Sequence, residues 1–190
     1  MVNKRIGFAL CGSFCTLNEV LPQMEVLVSL GAEVTPIMSE IVYSTDTRFG
    51  TAEHFKAEVE RITKKPIIHT VAGAEPIGPK GLLDLLVIAP CTGNTLGKLA
   101  CGITDSAVTM AAKAHLRNER PVVVAVSSND SLAASAKNIG ALMNSRNYYF
   151  VPFSQDAPFS KFRSCVAKFE LIPQTVSAAF SETQLQPIFY

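Results

Sequence analysis

Five consecutive residues, Cys91-Thr92-Gly93-Asn94-Thr95, carry a thiol, two hydroxyls and an amide directly after the apolar run of residues 85–89 and Pro90. A run this short and rich in Val and Ile reads as a strand buried on both faces. Pro90 has no N–H and is expected to end its ladder. The pattern from Leu96 to Ala100 is helical. Unpaired N–H groups at a helix start, flanked by hydroxyls, make a seat for an oxyanion such as phosphate. The same residues also suit an ordinary Thr or Asn cap, although one cap does not need four polar groups. A second small loop, Ala100-Cys101-Gly102-Ile103-Thr104-Asp105, is expected to return within reach of the first. There Gly102 would let the backbone approach a flat ligand. Three further polar turns have the same character: residues 11–16, Ser39, and Ser127-Ser128-Asn129-Asp130.

The rest of the chemical inventory is narrow. His54, His69 and His115 lie far apart, and none has a Cys, Glu or His at ligand spacing, so no metal centre is expected. There is no GxSxG elbow and no Ser-His-Asp order. Gly12 is the single glycine in the turn after the first strand, so the GxGxxG dinucleotide fingerprint is absent. Hydrogen-bonding, acid-poor loops suit a phosphate joined to a planar heterocycle, a mononucleotide whose own ring carries the reaction.

The elements that would position these groups alternate. Strands are read at residues 4–10, 33–38, 66–69, 84–89, 121–126 and 148–151, about six in all. Pro36 points to an edge or a bulge for the second. Helical stripes run through Leu17, Val20, Leu21, Met24, Leu27 and Val28, and through Phe55, Val59 and Ile62 behind a Thr51 cap. Further helices are read at residues 104–116 and 132–143, and from 166 to 183 with an interruption at Pro173. Residues 71–81, with three Gly and two Pro, read as a loop. The alternation predicts a doubly wound, Rossmann-like and flavodoxin-like α/β fold, a parallel sheet with helices on both faces. A single domain is expected over residues 1–190, with a helical tail from about residue 161. Right-handed crossovers then bring residues 11–16, Ser39, 91–95 and 127–130 to one sheet edge and one crevice.

Composition limits the partners. The chain is 48% hydrophobic and 17% charged, apolar enough that sister subunits are expected to cover part of its surface as a homo-oligomer, a trimer or larger. A net charge of +1 gives no electrostatic footprint for nucleic acid. No stretch reaches the roughly 18 apolar residues of a membrane span, and the first residues do not read as a signal peptide. Five cysteines without a CxxC pair suit neither disulfides nor zinc and point to a reducing cytoplasm. Cys101 and Cys165 read as small buried hydrophobes, whereas Cys11 and Cys91 both end strands.

The strings ALCGS, APCTGNT and ACGITDS, with Ser39 between the first two, resemble the homo-oligomeric FMN-binding flavoprotein family. That family includes phosphopantothenoylcysteine decarboxylase, lantibiotic cysteine decarboxylases and flavin prenyltransferase. The likeness covers nearly the whole chain. TDTRFG, AEPIGPKG, RPVVVAVSSND, VPFSQDAPF, LIPQT and LQPI are similar to its dipicolinate synthase B-subunit branch.

The resemblance implies FMN as cofactor. It implies Gly12, Ser13 and Phe14 on the phosphate side, Ser39 against the flavin, and Thr92, Gly93, Asn94 and Thr95 around phosphate and ribityl. Ser127 stands where the prenyltransferase has an Arg, which speaks against prenyl transfer. His69 lies near the decarboxylases' His and is the one candidate for a general base or substrate contact, or else a His capping a strand end. The decarboxylases' helix after that His is replaced here by VAGAEPIGPKG, and their Pro-Ala-Met-Asn clamp reads Ser127-Ser128-Asn129-Asp130. The branch further implies an oxidoreductase that forms pyridine-2,6-dicarboxylate from a dihydrodipicolinate-type precursor in the cytoplasm of a sporulating mother cell. Its partner would be the dipicolinate synthase A subunit, which supplies NADP. A small dicarboxylate substrate needs cations, and Arg48, Lys161 and Arg163 are the candidates, ahead of Lys98; each is more readily read as solvated surface charge. Two other readings stay open: a stand-alone FMN-dependent decarboxylase of a cysteinyl compound, and a non-catalytic flavin-binding scaffold.

Overall fold

The computed structural model describes residues 1–190. Its centre is a parallel core of β1 (Arg5–Leu10), β2 (Glu33–Met38), β3 (Leu85–Cys91) and β4 (Val122–Ser128) in the order β2-β1-β3-β4. One of these strands, β3, is the apolar run that sequence marks as buried on both faces. Every residue of β3 is buried, from Leu85 to Cys91. β5 (Tyr148–Phe150) pairs parallel with β4. Two short strands, β6 (Phe153–Gln155) and β7 (Cys165–Ala167), add antiparallel pairing, β7 to β4 and β6 to β7. The sheet therefore has seven strands, one more than predicted, and is mostly parallel.

The helices fall into two packed groups. α1 (Leu17–Ser29) packs with α3 (Ala52–Thr63) and with the last helix, α8 (Ile172–Phe180). α4 (Val71–Ala74) packs with α6 (Ala107–Leu116), and α5 (Gly93–Ala100) with α6 and α7 (Ala136–Met143). α2 (Glu40–Ser44) joins β2 to α3. α1 buries Leu17, Val20, Leu21, Met24 and Leu27. Gly31, at φ +84°, takes the left-handed turn that ends it. α6 begins at a Ser106–Thr109 capping box rather than at Thr104. One cluster of 49 buried hydrophobic residues spans the sheet and both helix groups, so there is a single core.

Several sequence readings are corrected. Residues 66–69 do not form a strand; Ile68 alone bridges β2, giving its N–H to Pro36 O at 3.0 Å and accepting from Met38 N at 2.9 Å. Pro36 does lie in an outer strand, where its missing donor costs no ladder bond. Pro90 does not end β3: the register shifts after Ile88, and pairing resumes at Cys91↔Val126. Residues 71–81 hold α4, capped by Thr70, and a 3-10 turn at Glu75–Ile77. Gly78 is pressed against α6, where a Cβ would lie 2.6 Å from Ala114 O. The helix read from residue 132 begins at Ala136. The tail is not one interrupted helix: residues 165–167 are β7, and Pro173 stands in the first turn of α8, where its missing N–H is harmless. Cys101 is exposed, not buried.

The outer strands are each met by another piece of the chain. Ile68 lies on β2. The Gln184 side chain accepts from Phe150 N at 2.7 Å and donates to Phe150 O at 2.7 Å, capping β5. Phe189 bridges Phe153 of β6, with Phe153 N donating to Ile188 O at 3.1 Å.

His115 on α6 gives a pH dependence to the fold. It is buried; Nε2 lies 3.1 Å from Pro121 O, and Nδ1 has no partner. Burial pushes its pKa down to about 4. The unfolded chain therefore binds the extra proton at higher pH than the fold does. Stability is expected to fall as pH drops from about 6.5 to about 4, by up to about 3 kcal/mol from this group. Urea unfolding of the wild type and of His115→Gln across that range checks this; a slope equally steep in both proteins would acquit His115.

Candidate functional site

A cleft of about 1060 Å³ opens at the carboxyl ends of β1, β3 and β4. That is the ligand position of an open α/β sheet, and the volume suits a cofactor-sized ligand. Three of the four predicted polar turns meet there. Gly12, Ser13 and Phe14 come from the turn after β1, Thr92, Gly93 and Asn94 from that after β3, and Ser127–Asp130 from the end of β4.

The turns are bonded to one another. Ser13 Oγ lies 2.8 Å from Ser127 Oγ, and Thr16 Oγ1 lies 3.2 Å from Ser13 Oγ. These hydroxyls tie the start of α1 to the end of β4. Thr92 caps α5 by accepting from Thr95 N at 3.3 Å. Thr95 is buried beneath it and donates to Cys11 Sγ at 3.4 Å. Burial pushes the Cys11 thiol up to about 11 and the Cys91 thiol well above its ordinary range. Both are neutral packing groups at physiological pH, not nucleophiles.

Asp130 bonds Ser128 Oγ, and Ser135 Oγ donates to the same carboxylate oxygen at 2.8 Å. The Ser128 hydrogen bond, with that of Ser135, holds this carboxyl below its usual range. The polar oxygens close directly on Gly93, the first residue of α5, where a Cβ would lie 2.6 Å from Asp130 Oδ1.

The far wall is β7 and the segment before it. Val166 and Ser164 line the cleft, as do Asp156 and Lys161, which pair at 2.8 Å. Asp156 feels burial, which raises its pKa, but its bonds with Lys161 and Ser164 outweigh this and hold it low. With Glu19 in the first turn of α1, the cleft carries three carboxylates and one lysine. It is thus not acid-poor, as the strand-end turns alone suggest.

The remaining predicted residues lie elsewhere. Ser39 does not line the cleft; it precedes α2, and its Oγ is buried without a partner. Gly102 does not line the cleft; it follows α5 at φ +69°, with open space where a Cβ would be. His69 stacks on Tyr43 with ring centroids 3.7 Å apart and planes 5° apart, outside the cleft. Arg48 is exposed and lies over the ring of Phe49, itself a cleft residue. Arg163 is exposed and does not line the cleft, and Lys98 is held by Asp105 at 2.8 Å. Of the three predicted substrate cations, only Lys161 reaches the cleft, and it arrives neutralised. Glu19, Phe49, Asp156, Ser164 and Val166 are cleft residues that sequence does not single out; the breaker-rich PFSQDAPFS is the one signal for Asp156.

A family model described as Flavoprotein matches residues 1–181. The chain is 51% identical over 185 residues to the B subunit of dipicolinate synthase from Bacillus subtilis (strain 168), covering 97% of this chain and 92% of that one. It is similar to the crystal structure of the dipicolinate synthase B subunit from Bacillus halodurans C, with TM-score 0.92 and 49% identity over 100% of this chain and 97% of that one. The FMN-dependent cysteine decarboxylase SpaF shares the fold at TM-score 0.71 and 22% identity, over 94% of this chain and 96% of that one.

Proposed function

Because the chain belongs to the Flavoprotein family, we propose that it is the B subunit of a dipicolinate synthase and that its cleft holds FMN. What carries the reading is that the likeness to the Bacillus subunits runs the length of both chains. The donor set fits the cofactor. The Gly93 and Asn94 N–H groups at the start of α5 have no partner within the chain, and Ser13, Thr16 and Ser127 offer hydroxyls in the same cleft. The buried, unpartnered Ser39 Oγ is the kind of group that a ligand satisfies.

In this reading Gly12, Ser13, Phe14, Thr92, Gly93, Asn94 and Ser127 hold phosphate and ribityl. Bound FMN supplies a ring that can take up or release two electrons. The overall reaction removes two hydrogens from a dihydrodipicolinate to leave the aromatic pyridine-2,6-dicarboxylate. The nicotinamide of NADP, carried by the partner A subunit, takes the hydride, and solvent takes the proton. The chain's own part is to bind, orient and shield; His69, outside the cleft, is assigned no step. The protein would work as a homo-oligomer together with the A subunit in the sporulating cell.

The test is to mix the purified chain with the A subunit, NADP and a dihydrodipicolinate, with FMN present and stripped. Pyridine dicarboxylate is expected from the mixture and not from the chain alone. Product formed equally well without flavin would leave a scaffold, and CO2 released from a cysteinyl compound by the chain alone would make it a decarboxylase.

Arg48 is the cation to test first, because it sits beside cleft-lining Phe49 and no carboxylate pairs with it. Arg48→Ala is expected to weaken dicarboxylate binding about tenfold while leaving flavin binding unchanged. Calorimetric titration with pyridine-2,6-dicarboxylate decides it; an unchanged affinity removes Arg48 from the site.

A further inference from the structure

The positive end of α5 opens into the cleft, and a carboxylate of the chain lies against its first residue. The space that a Cβ on Gly93 would fill lies 2.6 Å from Asp130 Oδ1, 2.6 Å from Ser135 Oγ and 2.7 Å from Ser128 Oγ. Both serine hydroxyls bond the Asp130 carboxylate, so it is pinned there. It is also ionised, since those same bonds favour the charged form. Thr92 takes up the Thr95 N–H, so the donors left at this helix start are those of Gly93 and Asn94, next to Asp130. No cation neutralises Asp130; Lys161, the one lysine of the cleft, is paired with Asp156 at 2.8 Å.

We propose that Asp130 is a specificity-determining residue of the cleft: its carboxylate, lying beside the first residue of α5, repels the phosphate of a ligand seated at that helix start. A helix start attracts one anion, and two oxyanions a few ångströms apart repel. The Asp130 charge therefore weakens the grip of this helix start on the FMN phosphate, and the cofactor exchanges readily. This inference rests on the reading of the cleft as a flavin site.

The test compares the full-length wild type with Asp130→Asn, which keeps the shape and removes the charge. Each is titrated with FMN and with riboflavin by quenching of flavin fluorescence, and with pyridine-2,6-dicarboxylate by calorimetry. Asp130→Asn is expected to bind FMN about tenfold more tightly and riboflavin within about twofold of the wild type. The ratio of the two affinities is the readout, because a merely structural role would move both ligands together. Asp130→Ser, read by the same ratio, serves if the Asn variant does not fold. Equal changes for FMN and riboflavin, or weaker FMN binding, overturn the proposal. Tighter binding of the dicarboxylate and not of FMN overturns it too, and gives the seat to a substrate carboxylate. If neither protein takes up either flavin, the flavin reading itself falls, and this inference with it.

Discussion

Gly93→Ala is expected to destabilise the fold by about 2 kcal/mol and to weaken flavin binding more than tenfold. Helix propensity alone argues the other way, since Ala in place of Gly in a helix gains up to about 1 kcal/mol. The local contacts decide against it. The new methyl would meet Asp130 Oδ1, Ser135 Oγ and Ser128 Oγ at 2.6–2.7 Å. These atoms are bonded to one another and cannot swing away singly. Either the polar cluster separates from α5 or the start of α5 moves off Thr92, and both open the cleft. Gly140 on α7 is the control: it is exposed, and a Cβ there meets nothing within 4 Å. Gly140→Ala is expected to stabilise by about 0.5–1 kcal/mol and to leave flavin binding alone. Urea unfolding with FMN titration measures both; a Gly93→Ala protein as stable as the wild type would mean the cradle yields.

Phe8→Ala should give the largest loss of stability, about 4 kcal/mol. Phe8 is fully buried in β1, paired with Pro36 on one side and Val87 on the other. A domain of this kind has about 5–15 kcal/mol in hand, so this loss brings it close to unfolding at physiological temperature. Just beyond its end, the same strand delivers Gly12 and Ser13 to the cleft. If the cavity leaves that turn in place, FMN at about a hundred times its Kd restores about 2.7 kcal/mol to mutant and wild type alike. Thermal unfolding with and without FMN checks this. A smaller gain in the mutant would show that the turn had moved with the core.

The fold is largely legible in the sequence because its central strands are continuous apolar runs between turn residues. The strand from Leu85 and the strand from Val122 are too short for buried helices and too rich in β-branched residues for loops. The turns at their ends follow from the handedness of crossovers, and three of the four do meet in the cleft. What escapes is structure held by tertiary contact alone. Three residues, Cys165–Ala167, become a strand because Ser127 and Ser128 of β4 lie on one side of them and β6 on the other. Their local pattern is that of the helix that follows. With β7 goes the far wall, so Asp156 and Ser164 are missed, and with them the excess of carboxylates. Gly102 lies off the cleft lining: a left-handed glycine signals an unusual backbone, not its purpose. Lys161 and Arg163 share one loop, and no pattern tells which of them turns inward.

The segments laid along β2, β5 and β6 bear on how copies of this chain can assemble. A strand flank left bare invites a neighbouring molecule to add its own strand, the route to runaway fibrils. Here Ile68, the Gln184 amide and Phe189 occupy those flanks from within the same polypeptide. Higher-order particles of this protein must then be cemented by side chains on helices and loops, where one well-placed charge can undo a contact without disturbing the protomer.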